Sequence, residues 1–118
     1  MPRLEIRKND FIALISGGDV PPWRSVPTRT IAGMLGVSLQ VMANWRVRNS
    51  GPPTTVRRKG AGHKTFYRLD EAAVWASDGI LVLWEINRDW LKGRGLAVHG
   101  ESSEASTAWL IASADSLL

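Results

Sequence analysis

The chain has no cysteine in its 118 residues. That excludes a disulfide framework, a thiol nucleophile and a cysteine-held zinc, and it suits a reducing compartment. Histidine occurs only at His63 and His99. A His-rich metal cluster is therefore excluded, and no metal or other cofactor is expected. Long apolar runs are also missing: none exceeds five residues, Ile80–Trp84 being one, where a membrane-spanning helix needs roughly 20. Glu5 and Asp10 stand near the start without a long apolar stretch, which argues against a secretory signal. A cytoplasmic protein with no membrane partner is the expectation. Hydrophobic residues make up 44% and charged residues 22%, a globular balance, and the length suits one domain with flanking elements.

Acids are absent from a long central stretch. Residues 24–68 hold nine bases and no acid: Arg24, Arg29, Arg46, Arg48, Arg57, Arg58, Lys59, Lys64 and Arg68. Residues 1–23 balance three bases against three acids, and residues 69–118 set three bases against eight acids. The formal net charge of +4 thus hides a block of +9 beside an acidic remainder. A field of one sign attracts a polyanion and steers it in.

Catalytic signatures are equally scarce. Gly60-Ala61-Gly62 before Lys64-Thr65 lacks the glycine that a phosphate-binding loop needs where His63 and Arg58 stand. Neither histidine has a nucleophile signature around it. The acids of 69–118 fall at helical surface spacings rather than as a paired-carboxylate site. The expectation is a protein that is not an enzyme.

What is present is an order of local signals. Thr28 can cap a helix over Arg29–Leu35, in which Ile31 and Leu35 share a face and Gly36 supplies the stop. Val37 is an apolar plug. Ser38 can cap a second helix from Leu39 to about Arg48. Met42 and Trp45 would face inward there, while Gln40, Asn44 and Arg48, each four apart, form a polar stripe. Asn49-Ser50-Gly51-Pro52-Pro53 cannot continue a helix. Thr54–Arg58 and Lys64–Arg68 favour strands around a Gly60-Ala61-Gly62 turn, giving a hairpin with a basic tip. Phe66 and Tyr67 should point to opposite faces. Asp70 can cap a further helix over Glu71–Trp75, with Val74 and Trp75 as core candidates and Glu71 suited to the helix dipole.

In this order the residues resemble the winged helix-turn-helix of the excisionase and MerR-like DNA-binding family. The resemblance rests on Ile31-Ala32-Gly33-Met34-Leu35-Gly36-Val37-Ser38, Asn44-Trp45-Arg46 and Gly51-Pro52-Pro53. It continues through the basic hairpin ending Phe66-Tyr67-Arg68-Leu69-Asp70 and Ala73-Val74-Trp75. It covers residues 26–76 and implies a mainly α fold with a small β-hairpin. The second helix would enter the major groove of double-stranded DNA, with the hairpin along the backbone. Ser38, Gln40, Asn44 and Arg48 would meet bases or nearby phosphates. Arg46, Arg57, Arg58, Lys59 and Lys64 would hold the backbone, His63 would meet phosphate or solvent, and Arg29 is a further DNA-binding candidate. Family roles include transcriptional regulation, directing excision by recombinases, and DNA recognition in phage packaging, so a nucleoid-associated protein with a recombinase or other protein partner is implied. Within residues 26–76 this chain departs from the pattern in one respect: Leu39, Val41 and Met42 stand before Trp45 where more bases are usual. A protein-interaction adaptor working through its Trp-rich second half is the competing expectation.

The flanks match nothing in that family. Asn9 or Asp10 can cap a short helix, Phe11–Ile15, ended by Gly17-Gly18, with Val20–Trp23 extended after it, so residues 1–25 read as an arm. Residues 77–118 read as a helical extension: a break at Asp78-Gly79, a helix over Ile80–Lys92 with Gly93 as its stop, and a loop over Val98–Glu104. A strand over Ile80–Ile86 competes for part of that span. A short helix within Ala105–Leu118 would dock on a partner or fray. A homodimer or head-to-tail oligomer on DNA is expected, since one winged unit reads few base pairs.

Overall fold

In the computed structural model, residues 2–59, 62–95, 107–108 and 110–112 are described, with side chains described outside 1–7 and 56–63. The first element, α1, spans Pro2–Gly17, so the expected short helix over 11–15 is a 16-residue one. Pro2 is tolerated in a first turn, and no breaker follows until Gly17-Gly18. Asn9 and Asp10 therefore lie exposed in mid-helix rather than at a cap. Lys8 explains the register: its ammonium lies 3.4 Å from Asp78 and 4.6 Å from the centre of the Trp75 ring. Phe11 and Ile15, four apart and no more than 1% exposed, enter the main core.

Two short helices follow, α2 over Thr28–Leu35 and α3 over Leu39–Val47. Gly36 stops α2 in the left-handed region, at φ 73°, and its N–H bonds the Ala32 carbonyl at 2.9 Å. A side chain there would meet the usual penalty of that region, which glycine avoids. Ser38 caps α3, its hydroxyl accepting from the Val41 N–H at 3.2 Å. Ile31, Leu35 and Met42 are fully buried, and Val37 packs against them. Thr28 does not cap α2. Pro27 holds the cap position, and the Thr28 hydroxyl donates to the Thr65 carbonyl at 3.2 Å, tying α2 to a strand.

That strand is the middle of a three-stranded antiparallel sheet. β1 spans Ser25–Pro27, β2 Thr55–Lys59 and β3 Gly62–Arg68, in the order β1-β3-β2. The hairpin is as expected and gains a third strand. Val26 pairs with Tyr67 on one side of β3, and Val56 with Thr65 on the other. Tyr67 is 1% exposed while Phe66 is half-buried, the alternation that a strand imposes. Val20–Trp23 is not extended: Pro22 and Trp23 turn, Arg24 N–H bonds the Pro21 carbonyl at 3.0 Å, and both turn residues are buried. The hairpin turn at Gly60-Ala61 and the expected loop at Val98–Glu104, with His99, lie outside the described residues.

α4 spans Leu69–Ala76, starting before Asp70 rather than after it. Asp70 is fully buried in the first turn and accepts three hydrogen bonds. They come from Arg68 at 2.7 Å, the Glu71 N–H at 2.7 Å and the Asn87 amide at 3.1 Å. Its own N–H bonds the Pro22 carbonyl at 2.7 Å. Ala72, Ala73 and Ala76 fill the core from α4, with Val74 and Trp75 half-buried at its edge. Asp78 and Gly79, both with positive φ, make the break. α5 then spans Leu83–Gly93. It starts three residues later than Ile80, which is 82% exposed, and the strand alternative for Ile80–Ile86 is excluded. Gly93 lies inside α5, and Arg94 takes the cap position.

Ile86 of α5 joins the main core, whereas Trp90 and Leu91 form a second cluster with Trp23 and Leu110. Trp23 meets Trp90 edge to face at 5.5 Å, a favoured aromatic geometry. Residues 107–108 and 110–112 are helical, and Leu110, 3% exposed, packs on its own chain. No described helix is long and apolar enough to cross a membrane.

Two outcomes follow for stability. Asp70→Ala should cost about 3 kcal/mol in urea unfolding, because it removes the partner of a half-buried guanidinium and one of the two hydrogen bonds of the buried Asn87 amide. The glycines should split in sign. Gly51 has φ 82°, and a Cβ there would lie 2.9 Å from Trp45 Cβ, so Gly51→Ala should destabilise by about 1–3 kcal/mol. Gly33 lies in α2 with nothing within 4 Å, so Gly33→Ala should stabilise by about 0.5–1 kcal/mol.

Candidate nucleic-acid interface

The outward side of α3 follows from what its inward side must do. Met42 is fully buried, and Trp45 packs on the core and against Trp75 at 5.3 Å. Gln40, Asn44 and Arg48 sit on the opposite side and are exposed. A four-residue step advances about 40° around a helix, so Gln40 and Asn44 share one stripe of α3, which Arg48 extends from the C-cap. Gln40 Nε2 donates to Asn44 Oδ1 at 3.2 Å. That bond uses one of two amide donors on Gln40 and one of two acceptor sites on Asn44. Both amides keep outward hydrogen-bonding capacity, in a fixed relative orientation. Ser38, exposed at the helix start, already spends its hydroxyl oxygen as an acceptor for the cap.

Arg46 is placed differently. It lies about 160° around α3 from Asn44, and its Nη1 donates to the Tyr67 hydroxyl at 3.1 Å. The stripe and Arg46 therefore do not form one cluster. Arg46 instead spans from α3 to β3 and lines a cleft of about 310 Å³ with Asn49, Ser50, Gly51, Pro52, Pro53 and Thr54. Gly51 permits that cleft, since its positive φ carries the chain directly over the Trp45 ring. Nothing in the sequence marks Tyr67 or Gly51 for the site. The Ser50-Gly51-Pro52 punctuation marks a turn, but nothing local indicates that a tyrosine 21 residues away will hold Arg46.

The hairpin sets one pair of cations opposite each other, Arg57 and Lys64. Arg58 stands opposite His63 and Lys59 opposite Gly62. The side chains of Arg57, Arg58, Lys59 and His63 lie outside the described residues. Lys64 is exposed, as is Arg29 on α2. Opposed like charges destabilise a strand pair unless something neutralises them. The described acids largely act elsewhere: Asp78 pairs with Lys8, Asp89 with Arg88 and Asp19 with Arg94, all outside the basic stretch. Within the stretch Arg68 pairs with Asp70 at 2.7 Å.

No match is found among known family models, curated proteins or solved structures. The chemistry of the surface must carry the functional argument. Among the described residues no group of three or more His, Asp or Glu side chains could hold a metal ion. A second open cleft, of about 550 Å³, lies at Asp19, Val20, Pro21, Arg24, Ser25, Trp90 and Arg94, away from α3 and β2. What the α3–hairpin arrangement can do is present hydrogen-bonding amides, a guanidinium and a row of cations to an extended polyanion.

The Arg46–Tyr67 bond has a direct test. A double-mutant cycle with Arg46→Met and Tyr67→Phe should give a coupling of about 0.5–1.5 kcal/mol in urea unfolding. Additivity within error would mean that the guanidinium is not held.

Proposed function

We propose that the chain is a sequence-specific double-stranded-DNA-binding protein of winged helix-turn-helix type. In this reading α3 enters the major groove and the β2–β3 hairpin follows the phosphate backbone. The carrying observation is that the acid-free stretch 24–68 exposes Gln40 and Asn44 on α3 and Arg48 at its C-cap, while the hairpin that follows sets Arg57 opposite Lys64. Asn and Gln can bond adenine edges and Arg can bond guanine, so Gln40, Asn44 and Arg48 are assigned to bases. Ser38 lies at the helix start, where a nearby phosphate can meet the exposed first-turn amides. Arg29, Arg46, Arg57, Arg58, Lys59, His63 and Lys64 are assigned to phosphate. Arg46 arrives there pre-oriented by Tyr67, which lowers the entropy lost on binding. A polyanion would also relieve the repulsion between Arg57 and Lys64.

The biological role proposed with it is transcriptional regulation or recombination directionality, in a phage or mobile-element setting. Recognition by one such unit spans few base pairs, so two or more copies acting together on DNA, with or without a recombinase, belong to the proposal.

Gel-shift titrations at two salt concentrations test it. Affinity for duplex should fall steeply with salt. Asn44→Ala should change which sequence is preferred. Lys59→Ala should weaken all duplexes similarly and lower the salt slope by roughly 0.9. An unchanged preference and affinity in Asn44→Ala would show that the groove face is wrongly assigned. Negligible duplex binding at low salt would favour a protein-interaction adaptor instead.

A further inference from the structure

An apolar edge runs beside the amide stripe of α3. Leu39, Ala43 and Val47 recur every four residues, and Ala43 stands three residues after Gln40 and Val47 three after Asn44, so the apolar row borders the amides through i,i+3 neighbours. Leu39 is 50% and Val47 84% exposed, and neither belongs to the core that Met42 and Trp45 enter. One exposed valine needs no explanation. A leucine and a valine on one edge, flanking two amides fixed by a mutual hydrogen bond, make a surface of two chemistries side by side.

An A·T pair presents the same two chemistries in the major groove. Adenine offers N7 as acceptor and N6 as donor, and thymine offers its C5 methyl group beside O4. A G·C pair offers no methyl. The same edge also accounts for the scarcity of bases before Trp45: Met42 is spent on the core and Val41 is half-buried, while Leu39 faces outward. Resting on the DNA-binding reading above, we infer that Leu39 and Val47 read thymine methyl groups, so that A·T pairs are preferred beneath α3. Gln40 and Asn44 bond the adenines of those pairs, and the aliphatic edge excludes water from the methyls.

The test uses the full chain and duplexes recovered from a random pool. Each thymine of the recovered site is replaced in turn by deoxyuridine, which keeps base pairing and removes only the methyl group. The wild type should lose about fourfold in affinity at each contacted methyl. Leu39→Ala and Val47→Ala should each lose that sensitivity at one position while binding the corresponding uracil duplex as the wild type does. Alanine is the better helix former at both positions, so folding is preserved. The inference is overturned if the wild type ignores every replacement, or if both variants keep the wild-type sensitivity. Recovery of no duplex at all from the pool overturns the DNA-binding reading itself, a distinguishable result.

Discussion

Burial of one tyrosine holds the working parts of this protein together. The Tyr67 ring is 1% exposed within the main core, so β3 cannot shift register without extracting it. Its backbone pairs with Val26, which binds the third strand, and its hydroxyl accepts from Arg46 on α3. Two residues earlier on β3, the Thr65 carbonyl accepts from Thr28 on α2. One short strand thus sets the position of both short helices relative to the hairpin. A basic hairpin alone would be marginal, being two-stranded and self-repelling. Here it is an extension of the core.

A second constraint sits just past the same end of that strand. Asp70 is fully buried yet bonded to Arg68, Glu71 N–H and Asn87, joining the end of β3 to α4 and α5. Its backbone N–H reaches Pro22, which draws the segment after α1 onto the sheet. The carboxylate most intimately bound in the fold is therefore the first acid after the basic stretch, and it engages the last base of that stretch. Arg29, Arg48 and Lys64 are left exposed at the surface. The division of charge along the chain becomes a division of surface.

The core also draws on α1 and α5, through Phe11, Ile15 and Ile86. The second cluster, built on Trp23, Trp90, Leu91 and Leu110, is stapled to the end of α1: the Trp90 indole donates to the Gly18 carbonyl at 2.8 Å, and Arg94 lies over the Trp90 ring at 4.4 Å. Large rings do the work that a 118-residue chain without disulfides must otherwise spread over many small contacts.

Signals confined to a few neighbouring residues were legible from the sequence alone. The Gly36 stop, the Ser38 cap, the inward Met42 and Trp45, the outward Gln40–Asn44–Arg48 stripe and the hairpin all obey local backbone sterics, capping and periodicity. The mainly α fold with a small sheet follows from them. The errors arose where a polar side chain had a distant partner to choose. Thr28 and Asp70 look like caps, but the Thr28 hydroxyl turns to the Thr65 carbonyl, and Asp70 lies inside α4, with one oxygen on Glu71 N–H and the other shared by Arg68 and Asn87. Asn9 and Asp10 look like a helix start, yet packing of Phe11 and Ile15 carries α1 through them. Trp23 looks like part of an extended run until Trp90 supplies a ring to meet it. Local rules assign each residue its nearest option, whereas burial across the chain decides which option is taken. The hydroxyl that holds Arg46 could be assigned only by the tertiary structure, because its partner is 21 residues away and contact at that separation depends on the completed core.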